Sequence, residues 1–417
     1  MVASTDIKFY VHTNTNAPQL GNVQGSMIAV LDACLVNGFG SQSIATLTAS
    51  GTTATATFSG NHNFMQYQVV EIAGAAQSDY NGQHRILTAP SANSITFELP
   101  AAPSVSTATG TITCRLPPLG WLKPFSGTGK AAYRSSNTLL ASRPYLRVVD
   151  ALDPAYTATY AKYAKVGIVE DMTDIDTMLG VQAPYDNANP DKNWIGTGSG
   201  TTASNGWSKW YYAHQYQFAD NSNRYDAGSP AVGARNWILV GNKDYFYILP
   251  CSTTTSLEAL CYGFGAFDSI LDADTSTTFL SSTILYHAAN FSYARNRYSP
   301  LLTTQYQDTL LLQRSYNQVA NYKLGSVYSL STPSNNVYTG GSNHFGPPSL
   351  ANSIPFAPIF INEDVLRGEM KGIYWLFQQQ PYSNYTVFNK NNSAYIACNV
   401  APFSSIAGQL ILKIGEL

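Results

Sequence analysis

Charge is what this sequence has least of. Acidic and basic side chains make up 12% of its 417 residues, about half the share of an ordinary soluble domain. The formal net charge is −2 and no basic run occurs anywhere, which excludes a nucleic-acid binder, because phosphate affinity comes from clustered Lys and Arg. Cysteine is sparse as well. The five residues Cys34, Cys114, Cys251, Cys261 and Cys398 are scattered, odd in number and without a CxxC pair. That pattern fits neither a disulfide framework nor a zinc site, so reduced, buried thiols are expected. No window reaches the roughly 18 unbroken apolar residues of a membrane helix. The opening "MVASTDIKFYVHTNTNAP" lacks the basic flank, apolar run and cleavage site of a signal peptide, so a soluble chain made in the cytoplasm is expected.

Acid–base and metal motifs are also missing. The six histidines His12, His62, His84, His214, His287 and His344 form no HExxH, and no GxSxG nucleophile elbow occurs. The pairs Asp174/Asp176 and Asp272/Asp274 have the alternate spacing of oxygen-rich loops, yet neither is followed by the glycine and distal glutamate of a calcium loop. Solvated turn carboxylates are the expectation for both. No catalytic, cofactor-binding or metal-binding residue is therefore assigned, and a non-enzymatic role is expected.

What the sequence does have is Tyr, Asn, Ser, Thr and Gly, an uncharged polar surface suited to contact with proteins or sugars. The stretch "GSMIAVLDACLVNGFG" reads as a short amphipathic helix: Met27, Val30, Leu31, Cys34 and Leu35 share one face. Ser26 is its expected N-cap and Asn37-Gly38 its stop. Packing on the main sheet is its expected role, with docking to a neighbouring subunit as the alternative.

From Ser43 to Leu116 short alternating segments follow: "TTATATFSG", "YQVVEIAG", "HRILTAP", "SITFELP" and "GTITCRL". They predict a barrel or sandwich of about five strands, with Asn81-Gly82 at a tight hairpin tip. The fold class is thus mainly β: an antiparallel body with a short N-terminal helix and a small inserted β-module. The divisions are 1–42 for the N-terminal part of the body, 43–116 for the module and 117–417 for the main body.

In that body "PYLRVVDA", "YAKVGIVEDM", "RNWILVGNKDYFYIL" and "STILYHAAN" read as strands. "NEDVLRGEMKGIYWLFQQQPYSN" offers one helical turn, and "GQLILKIGEL" a final strand with Leu410, Leu412 and Ile414 on one buried face. No repeat period is visible. The loop Tyr185–Gly206 is expected to be mobile until a neighbour orders it, with Trp194 as a stacking platform if it instead binds a ligand. The cluster Trp207, Trp210, Tyr211, Tyr212 and Tyr216 reads as a core strand or, exposed, as a sugar or protein platform. Trp121, Phe125 and Tyr133 are expected to anchor Gly120–Arg134 in the body.

Taken in order, "GSMIAVLDACLVNGFG", "GWLKPFSGTGKAAYRSS", "PYLRVVDA", "GIVEDMTDIDT", "RNWILVGNKDYFYIL", "YGFGAFDSI" and "LRGEMKGIYWLF" resemble a family of tailed-bacteriophage virion structural proteins. The segment "HNFMQYQVVEIAGAAQSDYNGQHRILTAPSANSITFELP" is similar to a small β-module inserted in many phage tail and particle proteins. The resemblance implies a tail or baseplate component, with capsid decoration or a glycan-binding, even glycan-cleaving, tail protein as alternatives. It implies other virion proteins and copies of the chain as partners, a host surface glycan as a further one, and the virion as location.

Overall fold

The computed structural model describes residues 2–199, 206–215, 226, 228–272, 274–284, 300–302, 310–319, 321–330, 355–377, 380–403 and 406–417. Its architecture is mainly β, with two antiparallel sheets, one closed barrel and one short helix. His287, His344 and Tyr216, with residues 296–299, 303–309, 320 and 331–337, lie outside the described residues.

The small sheet has seven strands. Its order is Thr283–Ile284, Ser208–Ala213, Lys162–Met172, Tyr145–Val149, Lys130–Arg134 and Leu122–Gly127, and Met178–Ala183 also pairs with Lys162–Met172. The large sheet runs from Lys8–Val11 through Trp237–Gly241, Tyr245–Pro250, Tyr262–Ala266, Thr278–Ser281 and Leu310–Leu312. It continues through Lys323–Tyr328, Phe356–Asn362, Leu366–Leu376, Ile406–Glu416 and Ser393–Phe403 to Val387–Lys390.

Alternate residues along one strand show how the layers stack. Trp237 and Leu239 pack into one core with the small sheet's Leu146, Val148, Val166 and Trp210. Ile238 and Val240, on the other face, pack into a second core with Ile373, Trp375, Ile396 and Leu412 from the far half of the same large sheet. The first half of the large sheet is therefore covered on both faces. That is why "WILVG" and "YFYILP" are apolar without alternation and buried at every position. The single run "RNWILVGNKDYFYIL" is a hairpin, turned where the Asn242 carboxamide oxygen accepts the backbone N–H groups of Asp244 and Tyr245 at 2.9 and 3.2 Å.

The barrel closes from six strands, Phe39–Ser50, Thr53–Phe58, Ser94–Glu98, Gly82–Ser91, Val69–Ala75 and Gly110–Leu116, in that spatial order. Its first strand starts at Phe39, before the expected Ser43, and its two ends are register partners, Phe39 against Leu116. Leu47, Ala54, Ala56, Ile86, Ile95 and Phe97 fill it. Asn81-Gly82 is not a tight tip. The turn spans 76–81, and the Asn81 side chain closes it by bonding both the N–H and the C=O of Ala75, at 3.0 and 2.8 Å. Gly74 has φ +85, and a Cβ there would lie 2.1 Å from the Thr111 carbonyl, so the bulge between Ala73 and Ala75 requires glycine.

The helix Ser26–Leu31 continues through Asp32–Asn37 as a wider, π-type turn and ends at Gly38 with φ 70. Met27, Val30, Leu31, Cys34 and Leu35 are fully buried against the small sheet and the barrel base. Ser26 is not the cap, because its hydroxyl turns back to the Val23 carbonyl at 2.7 Å. Gly25 occupies the cap position. The carboxylate of Asp150, far along the chain, accepts the N–H groups of Met27 and Ile28 at 2.9 and 3.4 Å. "LRGEMKGIYWL" is a strand with no helical turn. Two apolar cores compete for its alternate side chains, Ile373 and Trp375 on one face and Leu376 with Tyr374 on the other, and only a strand serves both. In the last strand Leu410, Leu412 and Ile414 share a buried face as expected.

Candidate functional site

Most of the described residues singled out in the sequence have a structural partner. His62 and His84 lie inside the barrel wall: His62 Nδ1 accepts the Phe64 N–H at 2.9 Å, and His84 stacks on Phe97 at 4.5 Å. His12 sits beside Trp237 and His214 is buried. All five thiols are free and buried, and burial raises the pKa of each, that of Cys251 to about 12. Among the described residues no three His, Cys, Asp or Glu side chains converge as metal ligands, and no helix is long and apolar enough to cross a membrane.

Asp174 is an exposed turn carboxylate that accepts the N–H groups of Asp176 and Thr177 at 2.8 and 3.0 Å. Asp274 corrects the expectation of a solvated pair. It is buried in a fork with Arg367 at 2.8 and 3.0 Å, and Glu363 takes a third guanidinium N–H at 2.9 Å. The fork joins the loop after Asp268–Ser269 to the strand Leu366–Leu376, a pairing no local spacing announces.

The aromatic strand is core: Trp210, Tyr211 and Tyr212 are buried and Trp207 partly so. Trp194 is buried as well, which removes the stacking platform. Its Cη2 and Cζ2 atoms lie over Gly167, where a Cβ would come within 2.9 Å of them, and the Arg147 guanidinium stands 4.3 Å from its ring centroid. The described part of its loop, up to residue 199, is anchored rather than bare. Asn193 bonds Val166, Trp207 and Ser208, and Lys165 donates to the Trp194 carbonyl. Residues 200–205 lie outside the described residues. Beneath this cover the outer face of the small sheet holds buried cations: Lys165 on Asp153 at 2.7 Å, Lys209 on Asp226 at 2.8 Å and Arg147 on Asp176 at 2.7 Å. Burial pulls Lys165 down from its ordinary value, and Asp153 opposes the pull.

Three features remain as sites of interaction. The first is the dock between barrel and body. Arg85, fully buried, donates to the carbonyls of Ser4, Tyr67, Ile7 and Ile414 at 2.7, 2.7, 2.9 and 2.8 Å. Gln68 and Asn14 exchange side-chain bonds at 2.9 and 3.1 Å across the same seam. Three of these bonds from a charged donor, to Ser4, Ile7 and Ile414, cross to the body and fix how the barrel projects.

The second is an aromatic face on the outside of the large sheet. Phe356, Tyr374, Tyr395, Phe388 and Tyr382 form a chain of rings with centroids 5.0 to 6.0 Å apart. Four of the five are only half-buried.

The third is a polar cleft of about 440 Å³ where the two sheets meet, lined by Arg134, Arg143, Arg314, Glu170 and uncharged polar side chains. Sequence reasoning missed the last two features because their members lie on strands far apart in the chain and meet only in the sheet register.

No family model matches the chain, and no curated protein matches it. Among solved structures the chain is similar to "Phage phi92 endosialidase" at 10% identity and a TM-score of 0.15, with 90% of this chain and 51% of that chain covered. The chain thus spans about half the length of that structure, and so loose a superposition fixes neither fold nor activity.

Proposed function

We propose that the chain is a non-enzymatic structural component of a tailed-bacteriophage virion, in the tail or baseplate first and on the capsid surface second. The observation that carries the structural role is the aromatic face. Five adjacent rings, four of them half-exposed, on a chain with so few charges have the composition of an interface core, where aromatics are enriched and charges depleted. The phage assignment comes from the ordered sequence blocks, and these meet inside the body. Trp121 of one donates to Asn242 of another at 2.7 Å, and Tyr247 donates to Lys371 of a third at 2.8 Å. The barrel, locked at a fixed angle by Arg85, is then the projecting part, and the partners are other virion proteins and copies of the chain.

Immunogold labelling of purified particles, with antibody raised against the barrel, tests the reading. Label at the tail is the expected result. Particles free of the chain by mass spectrometry overturn it. Phe388→Asp should release the chain from the particle while leaving its melting temperature close to the parent's.

A further inference from the structure

We propose that the cleft between the two sheets is a binding site for a carboxylate-bearing saccharide, with Arg134, Arg143 and Arg314 as the recognising groups. This stands independently of the virion reading. The argument begins with scarcity. The chain has 23 Lys and Arg residues in all, yet three guanidinium groups line one cleft against a single carboxylate, Glu170.

That carboxylate is already engaged, by an ion pair with Arg314 and by the Val181 N–H at 2.8 Å. The cleft therefore keeps a surplus of positive charge. Arg314 is held by that pair, while Arg134 and Arg143 are held by the fold rather than by a counter-charge of their own. Arg143 donates through Nε and Nη2 to the Ser135 carbonyl at 3.0 and 2.7 Å. Arg134 donates through Nε to the Arg143 carbonyl at 2.6 Å and through Nη1 to the Tyr145 hydroxyl at 3.1 Å, and it lies 4.8 Å from that ring's centroid.

These bonds leave Nη2 of Arg134, Nη1 of Arg143, and Nε and Nη1 of Arg314 with no partner among the described residues. Donors fixed in place with N–H groups to spare suit a planar carboxylate, which a guanidinium meets with two parallel bonds. Preorganisation lowers the ordering cost of binding.

The rest of the lining decides the class of ligand. Ser142, Thr275, Gln313 and Gln318 present hydroxyls and amides, which can exchange hydrogen bonds with sugar hydroxyls. A lone phosphate would use the arginines and leave most of the 440 Å³ to water. That volume lies within the roughly 300–1,000 Å³ of small-molecule sites. An acidic peptide would more naturally seek an open strand edge, whereas Leu310–Leu312, which leads into Arg314, is paired on both sides.

Isothermal titration calorimetry on the full chain tests the proposal with four probes: trigalacturonate, neutral maltotriose, inorganic phosphate and hexaglutamate. A hyaluronan tetrasaccharide serves as a second carboxylated saccharide. At least one carboxylated saccharide should bind at least tenfold more tightly than maltotriose, phosphate and hexaglutamate, and its affinity should fall as sodium chloride is raised. Arg314→Gln should weaken that binding at least tenfold. Arg143→Lys keeps a charge and a bond to Ser135 while losing the fork, and should weaken it similarly; it serves if Arg314→Gln does not fold. The proposal is overturned if neither carboxylated saccharide binds at millimolar concentration, if maltotriose binds equally well, if phosphate or hexaglutamate binds as tightly, or if a folded variant keeps the parent affinity.

Discussion

The barrel and the small sheet both have an outer face to protect, and they treat it in opposite ways. Every strand neighbour of the barrel lies between residues 39 and 116, and closure leaves no edge. Its outer face carries Thr46, Thr48, Thr55, Thr57, Thr88 and Thr96, which cross-pair as neutral hydroxyls, such as Thr88 with Thr96 at 2.8 Å. The small sheet instead places Arg147, Lys165 and Lys209 on its outer face and buries each against an aspartate, Asp176, Asp153 and Asp226, with Trp194 lying over the first two. A local, self-closing unit needs little ionic help: one pair, Arg115 with Glu71, joins two of its own strands. A sheet assembled from distant strands uses ion pairs to fix what crosses it, the 151–161 segment through Asp153, the 173–177 turn through Asp176 and, farther on, Asp226, at a desolvation cost that only good geometry offsets.

Excision is the strongest way to break this contrast. Replacing 39–116 by a short Gly/Ser linker between Gly38 and Pro117 should leave a body that still unfolds cooperatively, because the two ends already touch. Its melting temperature should fall further than that of Arg85→Ala, since excision also removes Gln68 and the barrel side of the shared core. Arg85→Ala, which strips four carbonyls of their donor, two of them in fully buried bonds, should cost about 3 kcal/mol by urea denaturation. A linker variant without a cooperative transition would show that body and barrel are one folding unit.

On the body side, Trp121→Ala should destabilise by about 3–5 kcal/mol in the same measurement. The ring is 3% exposed, sits edge-on to Phe246 at 5.3 Å and donates to Asn242. A variant that melts like the parent would mean that the two sheets do not depend on this contact.

A pH series on Asp150 probes the seam between helix and small sheet. Burial pushes this carboxyl up to about 6, against the hydrogen bonds from Tyr212 and the helix amides that pull it down. A folded-state value above the unfolded 3.8 means that the folded protein holds the proton more tightly. The favourable contribution is complete below about pH 4 and is lost as pH rises to about 6, a change of about 3 kcal/mol. Asp150→Asn stays neutral and keeps an acceptor for the helix. Its stability relative to the parent should therefore rise across that window and stay flat above it.

The smallest effect belongs to an exposed pair. Lys130 meets Asp176 at 2.7 Å with the aspartate 56% exposed, so Lys130→Ala should cost less than about 1 kcal/mol and less still in high salt.

The seam at Asp150 also shows where local reading stops. The helix, its buried face and its end at Gly38 follow from three- and four-residue spacing, which acts within one turn. Its cap does not, because the acceptor Asp150 follows the end of a strand more than a hundred residues later. The aromatic cluster behaves likewise. Trp210 and Tyr211 alternate as any strand does, but the sequence carries no mark of which face meets the other sheet and which meets Lys209.

By itself the sequence determined the mainly β class, the alternation that fills the barrel, the helix and its buried face, and the last strand's buried Leu410, Leu412 and Ile414. These rest on periods of two and of three to four residues, which the backbone geometry of strand and helix imposes locally. Tertiary structure alone decided that Asp274 is a buried partner of Arg367, that Trp194 is covered by Arg147, and that Arg134, Arg143 and Arg314 share one cleft. Those contacts depend on which distant strands pair and in what register, and register is a property of the whole set of sheets rather than of any one segment.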